Sequence, residues 1–198
     1  MAMETGFASD ETFTQESFWR WVRGRPWRDV HRYELIGGHI VMSPPASARH
    51  GAIGARLVAR LARYVEANGL GLVFDSSAGF EFPSGDTLEP DVSFVSRERL
   101  AAVPRPIPDH CLRLTPELVV EVLSRGGARR DREEKRSIYA RNGVLEYWIV
   151  DPAGARVEIY RLRAGALELQ FVYETGGIVS SVLPGLAISV EELFDELA

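Results

Sequence analysis

The chain has 198 residues, of which 45% are hydrophobic and 26% are charged, and its formal net charge is −5. This composition excludes collagen-like and intrinsically disordered chains, and the length predicts one domain over residues 1–198. No apolar run approaches the ~20 residues that cross a bilayer. The acidic N-terminus does not have the pattern of a signal peptide, and a lone cysteine, Cys111, is typical of a reducing compartment. We therefore expect a cytoplasmic protein that does not bind membranes.

Hydrophobic spacing in the first half predicts two helices, a hairpin and three further strands. The pair Gly37-Gly38 supplies the positive φ of a two-residue hairpin turn. Ile53, Leu57 and Leu61 recur at four-residue steps, which is typical of a helix with one buried face. The predicted elements are a helix at 12–23, hairpin strands at 33–36 and 39–42, a helix at 47–68 and strands at 71–75, 79–82 and 91–95, with a turn at 83–86.

The second half alternates between short helices and strands. Pro104, Pro106 and Pro108 predict a loop over 103–110. The predicted elements are helices at 97–102, 128–142 and 190–197, and strands at 118–123, 145–150, 156–162 and 167–173. This order predicts a mixed α/β protein with a mixed central β-sheet flanked by helices, because strands and helices do not alternate regularly.

The basic residues show one unusual feature. Of 23 lysines and arginines, 22 are arginine, and Lys135 is the only lysine. Arginine replaces lysine well on solvated surfaces, but not where chemistry needs a compact ammonium group. Lys135 is therefore either a chance survivor paired with Asp131, four residues away, or a lysine retained for chemistry.

Two carboxylates lie within apolar strand sequences. Asp91 opens the strand that follows Pro90, and Glu121 is the one polar residue in 118–123. A buried carboxylate needs a counter-charge, which either an arginine or a divalent cation can provide. Magnesium prefers carboxylate oxygen and keeps waters available for reaction.

The helix after the Glu121 strand carries three polar residues at four-residue spacing. Asp131, Lys135 and Tyr139 share one helix face, and the helix packs back against the same sheet, so that Lys135 reaches toward Glu121. Two carboxylates and a lysine are the minimal set for metal-assisted phosphodiester hydrolysis.

The ordered series of motifs resembles a known family. The pattern Pro90-Asp91, then residues 121–124, then Lys135 resembles the PD-(D/E)xK nuclease superfamily. More closely, residues 30–160 resemble the bacterial Uma family of restriction endonucleases, through residues 33–36, Ser43-Pro44, His50, residues 90–93, residues 116–124, Asp131, Lys135, Tyr139 and residues 143–151. The resemblance implies a restriction-endonuclease-like fold, with an N-terminal helix and C-terminal strands added to that core.

The resemblance also implies roles for residues of this chain. Asp91 and Glu121, helped by the Val122 carbonyl, would hold Mg2+ or Mn2+, and Lys135 would assist the attacking water. In the parent superfamily the lysine stands two residues after the glutamate, where this chain has Leu123. Supporting candidates are Glu34 (through water on the metal, or as a cap of the sheet edge), His50 (on the substrate, or packed), Asp131 and Tyr139.

The net charge of −5 does not exclude nucleic acid, because phosphate binding depends on local charge. Residues 125–141 carry seven basic and three acidic side chains, and Arg56, Arg60 and Arg63 follow one face of the long helix. These arginines form either a nucleic-acid surface or a solvated face. The arginines expected to bind nucleic acid are Arg129, Arg130, Arg132 and Arg136.

These observations predict a metal-dependent endonuclease that cuts nucleic acid, most readily DNA, and acts as a homodimer. The superfamily resemblance implies that its products have 5′-phosphate ends. Two alternatives remain open. The family has an acidic pair at the hairpin turn where this chain has Gly37 and His39, which favours a binding module without turnover. The late strands at 156–173 suggest a dimeric structural protein.

Overall fold

The computed structural model describes residues 8–26, 28–103, 110–124 and 126–195. The predicted proline-rich loop lies mostly outside them. The helices are α1 (Gln15–Arg23), α2 (Ala48–Ala67), α3 (Arg97–Ala102), α4 (Ala128–Arg130), α5 (Arg136–Arg141) and α6 (Val190–Phe194). The strands are β1 (Arg32–Ile36), β2 (His39–Ser43), β3 (Gly71–Asp75), β4 (Phe80–Glu81), β5 (Thr87–Leu88), β6 (Val92–Ser96), β7 (Leu118–Val122), β8 (Glu146–Asp151), β9 (Arg156–Arg163), β10 (Ala166–Tyr173), β11 (Gly177–Ile178) and β12 (Ile188–Ser189).

The large sheet confirms the predicted mixed α/β fold. Its six strands follow the order β10-β9-β8-β7-β6-β3, and every neighbouring pair is antiparallel except β7 and β8. Parallel neighbours need a crossover connection, which the helical segment 128–141 provides. β6, which Asp91 directly precedes, and β7, which carries Glu121, are interior strands.

A second, antiparallel sheet with the order β2-β1-β5-β4 corrects the expected single sheet. The predicted turn at 83–86 does not lead to the strand after Pro90 but joins β4 to β5, two strands of two residues each. The hairpin of β1 and β2 is confirmed, and Gly37 and Gly38 have φ of +58° and +83° in its turn. The short β5, β11 and β12 were not predicted.

Two apolar cores lie on opposite faces of the large sheet. On one face Val120 and Val122 pack with α2 and α6, and on the other Val119 and Leu123 pack with α5 and the small sheet. Glu121 therefore occupies a core position between Val119 and Leu123, because side chains alternate along a strand.

Capping explains where the helices begin. Thr14 forms a capping box with Ser17, so α1 begins three residues later than the predicted position 12. The Ser47 side chain accepts a hydrogen bond from the His50 amide and caps α2. α6 ends at Phe194, earlier than the predicted 197. Within the described ranges, no helix combines the length and apolar character that a membrane crossing requires.

The predicted helix at 128–142 is not a regular α-helix. Between α4 and α5 lies a π-helical turn at Asp131–Lys135. The Tyr147 hydroxyl donates to the Asp131 carbonyl at 3.1 Å within this turn. π-helical turns are frequent at functional sites. The first and last residues of this turn, Asp131 and Lys135, are both candidate site residues.

Candidate active site

Asp91 and Glu121 lie beside each other at one end of the large sheet. Val92 of β6 pairs with Val120 of β7 in antiparallel register, so Asp91, just before β6, stands opposite Glu121. Directly opposed residues project from the same face of a sheet, with Cβ atoms ~4.5–5.5 Å apart. Strand pairing thus brings together two carboxylates that are distant in the chain.

Lys135 reaches this pair from the π-helical turn and lies among three carboxylates. Its Nζ is 2.9 Å from Glu34 Oε1, 3.1 Å from Glu121 Oε1 and 3.8 Å from Asp131 Oδ1. Only 7% of the lysine side chain is exposed. The contact with Asp131 considered from sequence is present, but it is the longest of the three. The Glu89 amide also donates to Glu34 Oε1 at 3.0 Å.

The orientation of Glu121 is fixed through one of its oxygens. The Tyr139 hydroxyl donates to Oε1 at 2.6 Å, and Lys135 donates to the same atom at 3.1 Å. Both hydrogen bonds from described residues therefore fall on Oε1, which leaves Oε2 as the oxygen available to a cation.

Asp91 is held by two cationic side chains and one amide. Arg32 Nη1 lies 2.9 Å from Oδ1, while His50 Nε2 and the Val122 amide lie 3.0 and 2.8 Å from Oδ2. The arginine partner that sequence left open for each acid is thus found for Asp91, whereas the partner of Glu121 is Lys135. Burial opposes ionisation, but His50 and Arg32 hold the pKa of Asp91 below its usual range.

The cluster contains more carboxylates than basic groups, and burial raises the pKa of several of these acids. Burial raises the pKa of Glu89 to about 7, against the opposing charge of Arg32. Burial also raises the pKa of Glu121 and of Asp131 although Lys135 opposes both shifts. Burial lowers the pKa of Lys135, but the surrounding carboxylates reverse this and raise it above its usual value. The carboxylates are Glu34, Glu89, Asp91, Glu121 and Asp131, and the basic groups are Arg32, His50 and Lys135. Among the residues that the structure describes, the cluster thus holds five carboxylates against three basic groups.

The donor set of this cluster suits a hard divalent cation. Carboxylate oxygens of Asp91 and Glu121 together with a backbone carbonyl are ligands that magnesium and manganese accept, with waters completing the shell. Within the described ranges, no three His, Cys, Asp or Glu side chains are already grouped to hold a metal ion. A bound ion would therefore rest on two side chains and the backbone, or draw a further side chain inward.

The predicted nucleic-acid arginines are largely engaged within the protein. Arg132 pairs with Glu158 and lies 3.7 Å from Asp151, and Arg136 stacks over the Tyr160 ring at 5.1 Å. Arg129 and Arg130 form i,i+4 pairs with Glu133 and Glu134. Arg129 is 89% exposed. Arg125, counted in the same basic segment, lies outside the described residues.

Two of the predicted arginines of α2, Arg56 and Arg60, make contacts within the fold. Arg56 donates to backbone carbonyls of α6 and of Asp195, and Arg60 pairs with Glu192 at 3.0 Å. Their expected part in a nucleic-acid surface is not supported by these contacts. Gly37 and His39 do not enter the cluster, because the Gly37 amide binds Asp86 and the His39 ring lies 2.8 Å from the Ser9 carbonyl.

Sequence analysis missed two members of the cluster. Arg32 binds Asp91, and it also donates to the Glu89 carbonyl. Glu89 is a further carboxylate of the cluster, close enough to Arg32 and Glu34 for their charges to act on its pKa. The dipeptide Glu89-Pro90 before Asp91 was a usable signal, because it places a second acid beside the first. Arg49, next to His50 in α2, also has a buried Nε with no hydrogen-bond partner among the described residues.

A mixed sheet whose end carries two opposed acids and a lysine defines a protein of the restriction-endonuclease-like fold. The chain belongs to the Uma2 family, described as "Putative restriction endonuclease", whose profile matches residues 22–191. A crystal structure titled as a putative nuclease belonging to DUF820 from Anabaena variabilis superposes with a TM-score of 0.78. It is 21% identical and covers 94% of this chain and 99% of its own. No curated protein matches the chain.

Proposed function

We propose that this protein is a metal-dependent endonuclease that hydrolyses phosphodiester bonds of DNA. The observation that carries the proposal is the position of Lys135, the one lysine of the chain, which is buried against Glu121, the residue that strand register places opposite Asp91. Lys135 is the one lysine beside 22 arginines, and it is buried against the Glu121 carboxylate. This position favours a catalytic role for the lysine over a role in packing alone.

The residues that would hold the cation are Asp91, Glu121 through Oε2, and the Val122 carbonyl. Bound there, a divalent cation polarises a phosphoryl oxygen and lowers the pKa of a bound water. The surplus of carboxylates over basic groups in the cluster supports this assignment, because a cation would oppose the effect of burial, which raises the pKa of Glu121 and of Asp131.

The electrostatics favour one role for Lys135 over another. Its contacts with the Glu34 and Glu121 carboxylates, which also raise its pKa, favour the protonated ammonium over a proton acceptor. It acts instead as a fixed positive charge that stabilises negative charge developing on the phosphate. Glu34, at 2.9 Å, holds the ammonium in place, so its role is to position Lys135 rather than to touch the substrate.

Phosphate contacts would come from basic groups on the two helical segments that carry His50 and Lys135. Arg129 is the most exposed of the four predicted arginines with a described ion pair, and Arg49 has an open donor in the first turn of α2. Arg132 and Arg136 are held by β9 and would need to leave their partners. We therefore assign the first phosphate contacts to Arg49 and Arg129.

The proposed enzyme works as a homodimer through the outer edge of the large sheet. β10 is the edge strand, and Leu169, Phe171 and Val172 on it are 50%, 45% and 48% exposed. An exposed apolar edge strand favours pairing with another strand, and a two-fold dimer brings two sites to the two strands of a duplex.

The test is cleavage of supercoiled plasmid with Mn2+ or Mg2+. Glu121→Gln and Lys135→Gln should lower the rate at least about 100-fold, since each removes a group that acts on the transition state. Arg141→Gln is the matched control, because Arg141 lies on the same helical segment but pairs with Asp86, away from Lys135. Cleavage by Glu121→Gln at the wild-type rate would contradict the proposal.

The same assay separates the alternatives. Cleavage of RNA but not of DNA would correct the substrate. A protein that binds DNA with unchanged affinity after Asp91→Asn, and cuts no plasmid, single-stranded DNA or RNA, would be the binding module. The product ends are tested by ligation, which requires the expected 5′-phosphate.

A further inference from the structure

His50 lies beside Asp91, one of the groups assigned above to the metal. Its Nε2 is 3.0 Å from Asp91 Oδ2, the same oxygen that accepts the Val122 amide. Only 13% of the His50 side chain is exposed.

The fold fixes this position from two directions. The His50 amide donates to the Ser47 side chain, which caps α2, so the residue stands in the first turn of a twenty-residue helix. α2 packs on the face of the large sheet that carries Val120 and Val122, opposite to the face of Glu121 and Lys135. His50 therefore approaches the end of the sheet from the side that Lys135 leaves open.

The spacing of the atoms matches a coordination shell. Two ligands at right angles on an ion with bonds of about 2.1 Å lie about 3.0 Å apart. The separation of His50 Nε2 from Asp91 Oδ2 is 3.0 Å. An ion bonded to both atoms would lie roughly 1.5 Å off the line that joins them, so the separation fits and the imidazole ring would turn to direct its lone pair at the ion.

We propose that His50 is a nitrogen ligand of the cation, and that it makes the site prefer a transition metal such as Mn2+ over Mg2+. The proposal rests on the proposed function for the existence of the metal site. Imidazole is a good ligand for transition metals, whereas Mg2+ takes oxygen ligands and gains little from nitrogen. His50 would then be the third side chain of the site, with Asp91 and Glu121.

The three other histidines offer a clean contrast. His31 pairs with Asp29 at 2.8 Å, His39 lies 2.8 Å from the Ser9 carbonyl, and His110 lies 2.7 Å from Arg23. None of these partners belongs to the acidic cluster. A nitrogen signal from a bound metal ion can therefore be assigned by substituting one histidine at a time.

The experiment is pulsed electron paramagnetic resonance of the full chain loaded with one equivalent of Mn2+. Directly bound imidazole gives a nitrogen modulation, which should change when histidine is labelled with 15N and disappear in His50→Gln. His31→Gln should keep it. By calorimetry, His50→Gln should weaken Mn2+ binding about 10- to 100-fold and Mg2+ binding by less than about 3-fold.

The outcomes separate this inference from the proposed function. Mn2+ bound without nitrogen modulation, or bound more tightly by His50→Gln, overturns the inference and leaves the nuclease proposal standing. Nitrogen modulation lost in His50→Gln, in a protein that cuts no nucleic acid, supports the inference and contradicts the nuclease. A wild-type chain that binds no Mn2+ overturns both. The labelling measurement needs no variant, so the result does not depend on the folding of His50→Gln.

Discussion

Replacing Lys135 with methionine tests both the chemistry and the energetics of the cluster. The ammonium lies 2.9 and 3.1 Å from Glu34 and Glu121. At an effective dielectric constant of ~20, each contact at this distance corresponds to about 5 kcal/mol of attraction before desolvation is subtracted. Breaking a buried pair while leaving its partners in place costs about 3–5 kcal/mol net. The variant should therefore lose cleavage and also a large part of its stability.

The loss of stability should depend on pH. Burial raises the pKa of Glu121 and of Asp131, so at low pH these acids take up protons and no longer need the lysine. We expect Lys135→Met to lose about 3–5 kcal/mol of unfolding free energy at pH 8. At pH 5 the loss should be smaller by at least about 1 kcal/mol, since one pKa unit corresponds to 1.36 kcal/mol.

Urea unfolding of the metal-free protein, followed by tryptophan fluorescence, measures both values. The control is Arg129→Met, which removes an exposed pair with Glu133 and should cost less than about 1 kcal/mol at either pH. A loss below about 1 kcal/mol at pH 8, or an equal loss at both pH values, would refute the assignment of Lys135 as the counter-charge of buried acids.

Three further outcomes follow from the same contacts. Tyr139→Phe removes the hydroxyl that orients Glu121 and should weaken Mn2+ affinity about tenfold in calorimetry, with cleavage falling in proportion. The metal-free protein should melt at lower temperature at pH 8 than at pH 5, because acids with raised pKa, such as Glu89, bind protons more tightly when folded, and this stabilisation disappears as pH rises. Added Mn2+ should raise the melting temperature more at pH 8. Leu169→Lys on β10 should convert the proposed dimer to monomer in sedimentation, while Val179→Lys, equally exposed but off that strand, should not.

Most helices and strands could be predicted from the sequence, because helix periodicity and turn sterics act between residues that are close in the chain. The four-residue apolar steps of α2 and the Gly37-Gly38 turn follow directly from helix periodicity and backbone sterics. The two-residue strand β5 escaped prediction, because a run so short carries no periodicity, whereas β4 lies within the strand predicted at 79–82. Their pairing into a separate sheet is decided by tertiary contacts.

Residues of the candidate site could be predicted only where their residue type is unusual in the chain or among their sequence neighbours. Lys135 was marked by the absence of other lysines, and Glu121 by its apolar neighbours. Arg32 carried no such mark, because it is one of 22 arginines and its contact with Asp91 depends on how β1 meets the large sheet. The π-helical turn was also not predicted, since its residues favour an ordinary helix equally well.

The acidic cluster lies across the seam between the two sheets. Glu34 and Arg32 belong to the small sheet, whereas their partners Lys135 and Asp91 belong to the large sheet and its crossover helix. A cation held by Asp91 and Glu121 would bind the two residues that β1 reaches directly through Arg32 and indirectly through Glu34 and Lys135. Amide protons of β1 should then exchange with solvent more slowly when the ion is bound.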